Sequence, residues 1–334
     1  MSRLIKVLAI DGGGIRGVIP AMLLAEIEKR TGRAIAELFD VIAGTSTGGI
    51  LALGLTKPNP NGKPAYSAVD LVHLYEAEGQ RIFPKSSLSK LRSLVNQKYP
   101  AIGIETVLRQ YFGDTLLSQS IKTVLIPSYD TELRCPYFFK SRKAKADRDR
   151  DFPMATVARA TSAAPTYFEP LQARSKQGLV PSTFIDGGVF ANNPAMCAYV
   201  EARRNHPETH DFLVVSLGTG ELSASLNYAQ IKNWGLLEWA RPIFNIVSDG
   251  VSDTVDYQLQ ELLSTEDTEV NSKRYYRFQA SLHALGRLDR GNHIDDASLE
   301  NITFLKRIAQ NTINSNEGEL KSLCQQLVAE VIAS

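Results

Sequence analysis

Apolar positions along the chain come in short, nearly unbroken blocks separated by stretches of helical spacing. Leu4–Ile10 and Phe212–Leu217 are the strongest blocks, and Phe39–Ala43, Thr123–Ser128 and Thr183–Asp186 are shorter ones. A run of strand length without a polar side is what a strand buried on both faces requires. Between the blocks the period changes. Ile19–Arg30, Ser67–Glu78, Ile104–Tyr111, Phe152–Ser162 and Pro194–Arg204 read as helices, and Ile50–Leu53 opens another. Pro20, Pro153 and Pro194 lie at or near helix starts, where a missing N–H is tolerated. Gly32 follows the first helix where a left-handed residue closes it, and Asn59–Pro64 is a turn-rich loop.

Strands alternating with helices predict an α/β fold, three layers (α/β/α) around a mostly parallel sheet. From about Trp234 onward the pattern is helical with little strand signal. It predicts a helical cover over about 230–334, seated on the core formed by 4–220. No repeat or low-complexity linker divides the chain, so 1–334 is expected to be one domain.

Composition narrows the class of partner. The 334 residues are 43% hydrophobic, ample for a large core, and carry a formal net charge of +1. That balance argues against a nucleic-acid polymer as partner, since such binders show a strong basic excess. Cys135, Cys197 and Cys324 form no C-x-x-C pair and read as reduced thiols of a cytoplasmic protein. The first apolar run is too short, and too soon followed by Asp11, for a signal peptide, and Ser2 excludes N-myristoylation. No stretch reaches the roughly 18–20 apolar residues that span a bilayer. The expectation is a cytoplasmic protein, able to work peripherally at a membrane.

Three glycine motifs concentrate the chemistry. Gly44–Gly48 reads Gly-Thr-Ser-Thr-Gly between a buried strand and an apolar helix, the setting of a nucleophile elbow. Such a turn pushes the Ser46 hydroxyl clear of the backbone and places a helix N-terminus behind it. It is also crowded, which explains the flanking Gly44 and Gly48. The bland alternative is a glycine-rich connection from strand to helix.

Asp11–Gly17 reads Asp-Gly-Gly-Gly-Ile-Arg-Gly between the first strand and first helix. Gly12, Gly14 and Gly17 satisfy the dinucleotide pattern G-x-G-x-x-G, and Glu37 is spaced for its ribose partner. Glu37, however, precedes the next strand instead of ending it, and no Gly-Lys-Ser/Thr of a P-loop follows. The favoured assignment is an oxyanion hole, in which Gly12, Gly13 and Gly14 present backbone N–H groups to developing negative charge. Arg16 then fixes the loop or adds positive charge. Its plainer role is a surface charge on the first helical turn.

The third motif is Asp186-Gly187-Gly188 at a strand end, placed to reach across the top of a parallel sheet. Alone it is an Asp-Gly turn; beside the other two it points to catalysis. A serine hydrolase normally adds a histidine late in the chain. His73, His206, His210, His283 and His293 are available, and none has a distinctive setting.

Asp11–Gly17, Gly44–Gly48 and Asp186–Gly188, in this order, resemble the patatin-like phospholipase family, over at least Leu4 to Gly220. The resemblance implies a patatin-like α/β fold with a Ser–Asp dyad and no catalytic histidine. It makes Ser46 the nucleophile, Asp186 the general base, and Gly12, Gly13, Gly14 and Arg16 the oxyanion site. Asp11, Gly17, Gly44, Gly48, Gly187 and Gly188 then support the motifs. Gly188 stands where many relatives have alanine. The implied activity is hydrolysis of carboxylic esters in membrane lipids through an acyl-enzyme, of phospholipase A or lysophospholipase type, without cofactor or metal. The implied partners are a phospholipid or other acyl lipid and, transiently, a membrane surface. Some bacterial relatives are switched on by cyclic nucleotides, so a small-molecule activator belongs to the same set. A lipid-binding or storage role with incidental hydrolysis is the non-enzymatic alternative.

Two further stretches bear on lipid contact. Lys140–Asp151 holds six basic and three acidic residues and reads as a flexible, solvated loop, with anionic headgroups as its functional alternative. Trp234–Trp239 with Ile243 and Phe244 forms an apolar stripe expected to pack on the core, an interfacial face being the alternative.

Overall fold

The computed structural model describes residues 3–84, 98–174, 182–221, 226–239, 242–264, 273–282 and 293–329. Among them β1 (Ile5–Ile10), β2 (Val41–Gly44), β3 (Thr123–Asp130), β4 (Cys135–Lys140), β5 (Leu171–Ala173), β6 (Ser182–Asp186), β7 (Phe212–Leu217) and β8 (Tyr275–Phe278) form one eight-stranded sheet. β8, β7, β1, β2 and β3 lie side by side and pair in parallel. β3 turns the pattern by pairing antiparallel with β4 and β6, and β5 pairs antiparallel with β6.

The main helices are α1 (Val18–Thr31), α2 (Thr47–Thr56), α3 (Ala68–Ile82), α4 (Ile102–Phe112), α5 (Met154–Thr161), α6 (Ala195–Asn205), α7 (Pro242–Leu263), α8 (Leu299–Ser315) and α9 (Glu317–Val328). Local chemistry sets their ends. Gly32 closes α1 at φ 65, and the Ser67 hydroxyl accepts the Asp70 N–H while the Asp70 carboxylate accepts that of Ser67. The apolar strand runs now have their cause. Leu8 and Ile10 enter the core beneath α1, α2 and α3, whereas Val7 and Ala9 enter the core beneath α6 and α7. Alternate side chains go to opposite faces, and both faces are buried.

The C-terminal region adds a strand to the expected helical cover. α8 and α9 do pack on α1, but β8 adds a parallel strand beyond β7. The strand is only four residues long and includes Arg277, whose charge breaks the apolar run by which a strand is recognised. Lys140–Asp151 is also ordered differently from the expected loop. Lys140 ends β4 and pairs with Glu201, Ser141–Ala146 is a short helix, and the Ser141 hydroxyl accepts the Val124 N–H at 2.9 Å. Among the described residues, no helix is long and apolar enough to cross a membrane.

One feature of the sheet positions the site. β4 occupies one edge of β3 from Leu125 to Asp130, so β2 and β6 share the other edge. β2 runs with β3 and pairs with Thr123–Leu125; β6 runs against it and pairs with Ser128–Asp130. The two strands therefore head toward each other and stop on either side of Ile126 and Pro127. Binding sites of open α/β sheets gather at such switch points.

Candidate active site

Ser46 follows the end of β2 with φ 54 and ψ −120. Few L-residues occupy this region, and holding one there costs about 1–3 kcal/mol. The surrounding turn enforces it by close packing. A Cβ on Gly44 would stand 2.0 Å from the Gly48 carbonyl oxygen, and one on Gly48 would stand 2.1 Å from that of Ile10. Only glycines fit, so the turn closes against β1 and the Ser46 side chain has one way to go, out over the strand ends.

Asp186 arrives from the opposite direction at the end of β6. It is 5% exposed, and its Oδ1 accepts the Gly188 N–H at 2.7 Å. Burial raises its pKa to about 6, against the opposing pull of hydrogen bonds from the Ser46 hydroxyl and the Gly188 N–H. Gly187 lies so near β3 that a Cβ there would be 2.4 Å from the Pro127 carbonyl oxygen. The serine and aspartate are 140 residues apart in the chain and meet because β2 and β6 converge on one break in the sheet.

The glycine loop lies beside them. Asp11 is buried; its N–H donates to Leu217 O at 2.9 Å, and its Oδ2 accepts Arg277 Nη2 at 2.7 Å. Burial raises the Asp11 pKa, and the neighbouring guanidinium pulls it back. The Gly12 N–H is committed to the Asn192 carbonyl at 3.0 Å, and the Gly12 carbonyl accepts Thr219 Oγ1 at 2.5 Å. A Cβ on Gly12 would lie 3.4 Å from that of Ser46, so loop and serine are in contact range. Gly14 has φ 58, a conformation that favours glycine. The N–H groups of Gly13 and Gly14 have no partner among the described residues. Gly17 packs on the Thr47 hydroxyl and the Tyr75 phenol, which hydrogen-bond each other.

Arg16 reaches the same cavity with its Nε buried and without a hydrogen-bond partner among the described residues. Burial lowers its pKa, while the Asp249 carboxylate of α7 works the other way. The cavity joins these polar groups to an apolar wall that includes Ile50, Leu74, Ile82, Phe83, Ile104 and Phe168. Serine, carboxylate and free backbone N–H groups thus face an apolar slot. The arrangement suits acyl transfer from a substrate with a hydrocarbon chain.

Other candidates fall elsewhere. Glu37 is exposed in a short helix before β2, at the far end of that strand from Ser46. No carboxylate ends β2 where a nucleotide ribose would need one. His73 and His206 face solvent-side glutamates, Glu76 and Glu208, and His293 is exposed. No described histidine lines the cavity, and His283 lies outside the described residues. Lys140–Asp151 does not reach the cavity either. Trp234 and Trp239 pack edge to face with ring centroids 5.1 Å apart, but Ile243 is 45% exposed, against the expected core packing. Ile246 and Val247 on the same side of α7 are exposed as well. The side chains of Leu236, Leu237 and Phe244 lie outside the described residues.

Four neighbours of the site had no motif to announce them. Thr161, Asn192, Thr219 and Arg277 each reach the serine turn or the glycine loop through a hydrogen bond or ion pair formed across a long loop of chain. Among the described residues no cluster of histidine, cysteine and carboxylate side chains is arranged to hold a metal ion.

A mixed, mostly parallel sheet with a serine turn, a glycine loop and an aspartate at its switch point defines the patatin type of α/β fold. Residues 8–199 match the patatin-like phospholipase family. Patatin-like protein 2 of Arabidopsis thaliana is 35% identical over 342 residues, which span 91% of this chain and 81% of that protein. Probable inactive patatin-3-Kuras 1 of Solanum tuberosum is 30% identical over 343 residues, spanning 96% and 89%. The chain belongs to the patatin-like phospholipase family. Among solved structures, human GIVD cytosolic phospholipase A2 shares the fold with a TM-score of 0.50 at 12% identity, over 97% of this chain and 60% of that one.

Proposed function

We propose that this protein is a lipid acyl hydrolase of phospholipase A or lysophospholipase type, working through Ser46 and Asp186. The observation that carries the proposal is the Ser46 hydroxyl set against a buried carboxylate whose pKa is raised to about 6. Above that pH Asp186 is ionised and is a stronger base than an ordinary carboxylate. It takes the Ser46 proton as Oγ bonds to the ester carbonyl carbon. The carbonyl oxygen becomes an oxyanion facing the N–H groups of Gly13 and Gly14, with the Arg16 guanidinium alongside. Gly12, its own N–H engaged, supplies the close approach to Ser46 instead of a donor. The C–O bond to the lipid alcohol then breaks, and that alcohol leaves with the proton from Asp186. Asp186 next takes a proton from a water, which attacks the acyl-serine carbonyl, and passes that proton to Ser46 Oγ as the Oγ–C bond breaks and the fatty acid leaves. The scheme requires no cofactor or metal.

The exposed Ile243, Ile246 and Val247 stand on the helix that supplies Asp249 and Ser252 to the cavity, and we assign them to transient contact with a membrane surface. A second role, lipid binding with incidental hydrolysis, is favoured by one observation: a relative of comparable length bears the name of a probable inactive patatin. Incubation with mixed phospholipid vesicles, followed by mass spectrometry of the products, separates the two. Free fatty acid and lysolipid in catalytic excess over enzyme are expected. Retention of intact lipid without turnover contradicts the hydrolase and supports the binding role.

A further inference from the structure

The break between β2 and β6 is filled by Thr161. This residue ends α5, is fully buried, and sends its side chain into the edge of β3 that neither strand covers. Its Oγ1 donates to the Pro127 carbonyl at 2.6 Å and accepts the Ser46 N–H at 2.9 Å. Its own carbonyl accepts the Gly187 N–H at 3.4 Å, and two residues on, the Ala163 carbonyl accepts the Asp186 N–H at 3.0 Å. Its γ-methyl lies over Gly49 of α2, where a Cβ would come within 2.7 Å of it. One residue therefore touches β3, the serine turn and the aspartate motif.

We propose that Thr161 is a positioning residue that sets the Ser46 hydroxyl against the Asp186 carboxylate. The proposal rests on the Ser–Asp assignment above. A parallel strand and an antiparallel strand that stop at a gap share no ladder hydrogen bond across it. Something else must fix their separation, and the two sides of Thr161 do so: hydroxyl to the Ser46 backbone, carbonyl to the Gly187 backbone. The hydroxyl bond also falls on the one residue of the turn with a strained backbone, which stays strained only while its surroundings hold it. Threonine suits the place because the methyl packs on α2 while the hydroxyl serves as donor and acceptor at once.

Thr161→Val keeps the shape and methyl contact but removes both hydroxyl bonds. Misplacing a reacting group by about 1 Å costs up to about 10²-fold in rate. The expected result is a kcat lowered about 10–100-fold on a short-chain ester, with KM changed less than about threefold, and a fluorophosphonate labelling rate of Ser46 lowered in step. Thr161→Ser restores kcat to within several-fold of wild type, because it keeps the hydroxyl. If valine lowers the melting midpoint enough to obscure the kinetics, Thr161→Ser and Thr161→Cys are compared at a temperature where both are folded; serine is expected to outperform cysteine by at least tenfold. A folded Thr161→Val that labels and turns over like wild type, or a serine variant no better than valine or cysteine, overturns the positioning role alone. A wild-type enzyme in which Ser46 takes no label overturns the Ser–Asp assignment as well.

Discussion

The two arms of the site reach the same break in the sheet by different physics. The serine arm leaves a parallel strand through a turn so tight that Ser46 sits at φ 54, locked by Gly44 and Gly48. The aspartate arm leaves an antiparallel strand through a relaxed backbone, with Gly187 at φ −65, but buries an ionisable carboxyl. One arm holds backbone strain; the other holds the cost of a desolvated charge. Each half of the proposed chemistry is thus tuned in its own way. Ser46 is made ready by geometry and Asp186 by its electrostatic surroundings, so substitutions in one arm should move shape-dependent observables and those in the other pH-dependent ones.

The largest expected effect is at Ser46. Ser46→Ala should lower ester hydrolysis by about 10⁴-fold or more, measured on a short-chain ester, while circular dichroism melting shows the fold retained. Ser46→Gly should be equally inactive yet more stable than Ser46→Ala by about 1 kcal/mol, because glycine relaxes at positive φ. An alanine variant as stable as the glycine variant would remove strain from the serine arm.

Asp186→Asn should lower turnover by about 10²–10⁴-fold, as loss of a general base does. Its effect on stability runs the other way. The carboxyl has a folded pKa of about 6 against an ordinary value of 3.8, so the native state holds a proton that the unfolded chain releases between those pH values. The stability this group contributes is therefore greatest below about pH 4 and falls as pH rises through 6, a change of up to about 3 kcal/mol. Wild type should melt below the asparagine variant at pH 8, with the gap closing at pH 4. A gap that is constant with pH would mean that Asp186 is not held above its ordinary pKa.

Gly13→Ala probes the loop that serves both arms. The new Cβ would meet Thr219 Oγ1 at 2.2 Å, and that hydroxyl holds the Gly12 carbonyl. The expected loss is about 10²–10³ in kcat, as for removal of one oxyanion donor. Retained hydrolysis with lost affinity for a dinucleotide would return the loop to nucleotide binding. The smallest effect is expected from His293→Gln and His283→Gln, which should leave steady-state turnover at the wild-type level. A collapse in either variant would add a histidine to the site.

The parallel half of the sheet was legible in the sequence because both its faces are buried, which leaves nearly unbroken apolar runs such as Phe212–Leu217. β5 has three residues and β8 interrupts its own apolar pattern with Arg277, so neither leaves a periodic signal. β4 opens with Cys135–Pro136 and keeps most of its side chains only half-buried. Among residues of the candidate site, those in the three motifs were legible because close backbone approach demands glycine, and glycines at fixed spacing stand out. Thr161, Asn192, Thr219 and Arg277 were not, since a single polar residue that bonds across a hundred or more positions has no local pattern. The commitment of the Gly12 N–H to Asn192 was hidden for the same reason.

The central claim is that Asp186 alone supplies the base for Ser46. The most direct measurement is the fluorophosphonate labelling rate of Ser46 as a function of pH, followed by intact-protein mass spectrometry in wild type, Asp186→Asn and His293→Gln. Labelling should rise through a single ionisation near pH 6 in wild type, keep that profile in the histidine variant, and be suppressed at every pH in the asparagine variant. Asparagine-variant labelling at the wild-type rate, or a profile lost with the histidine, would contradict the account.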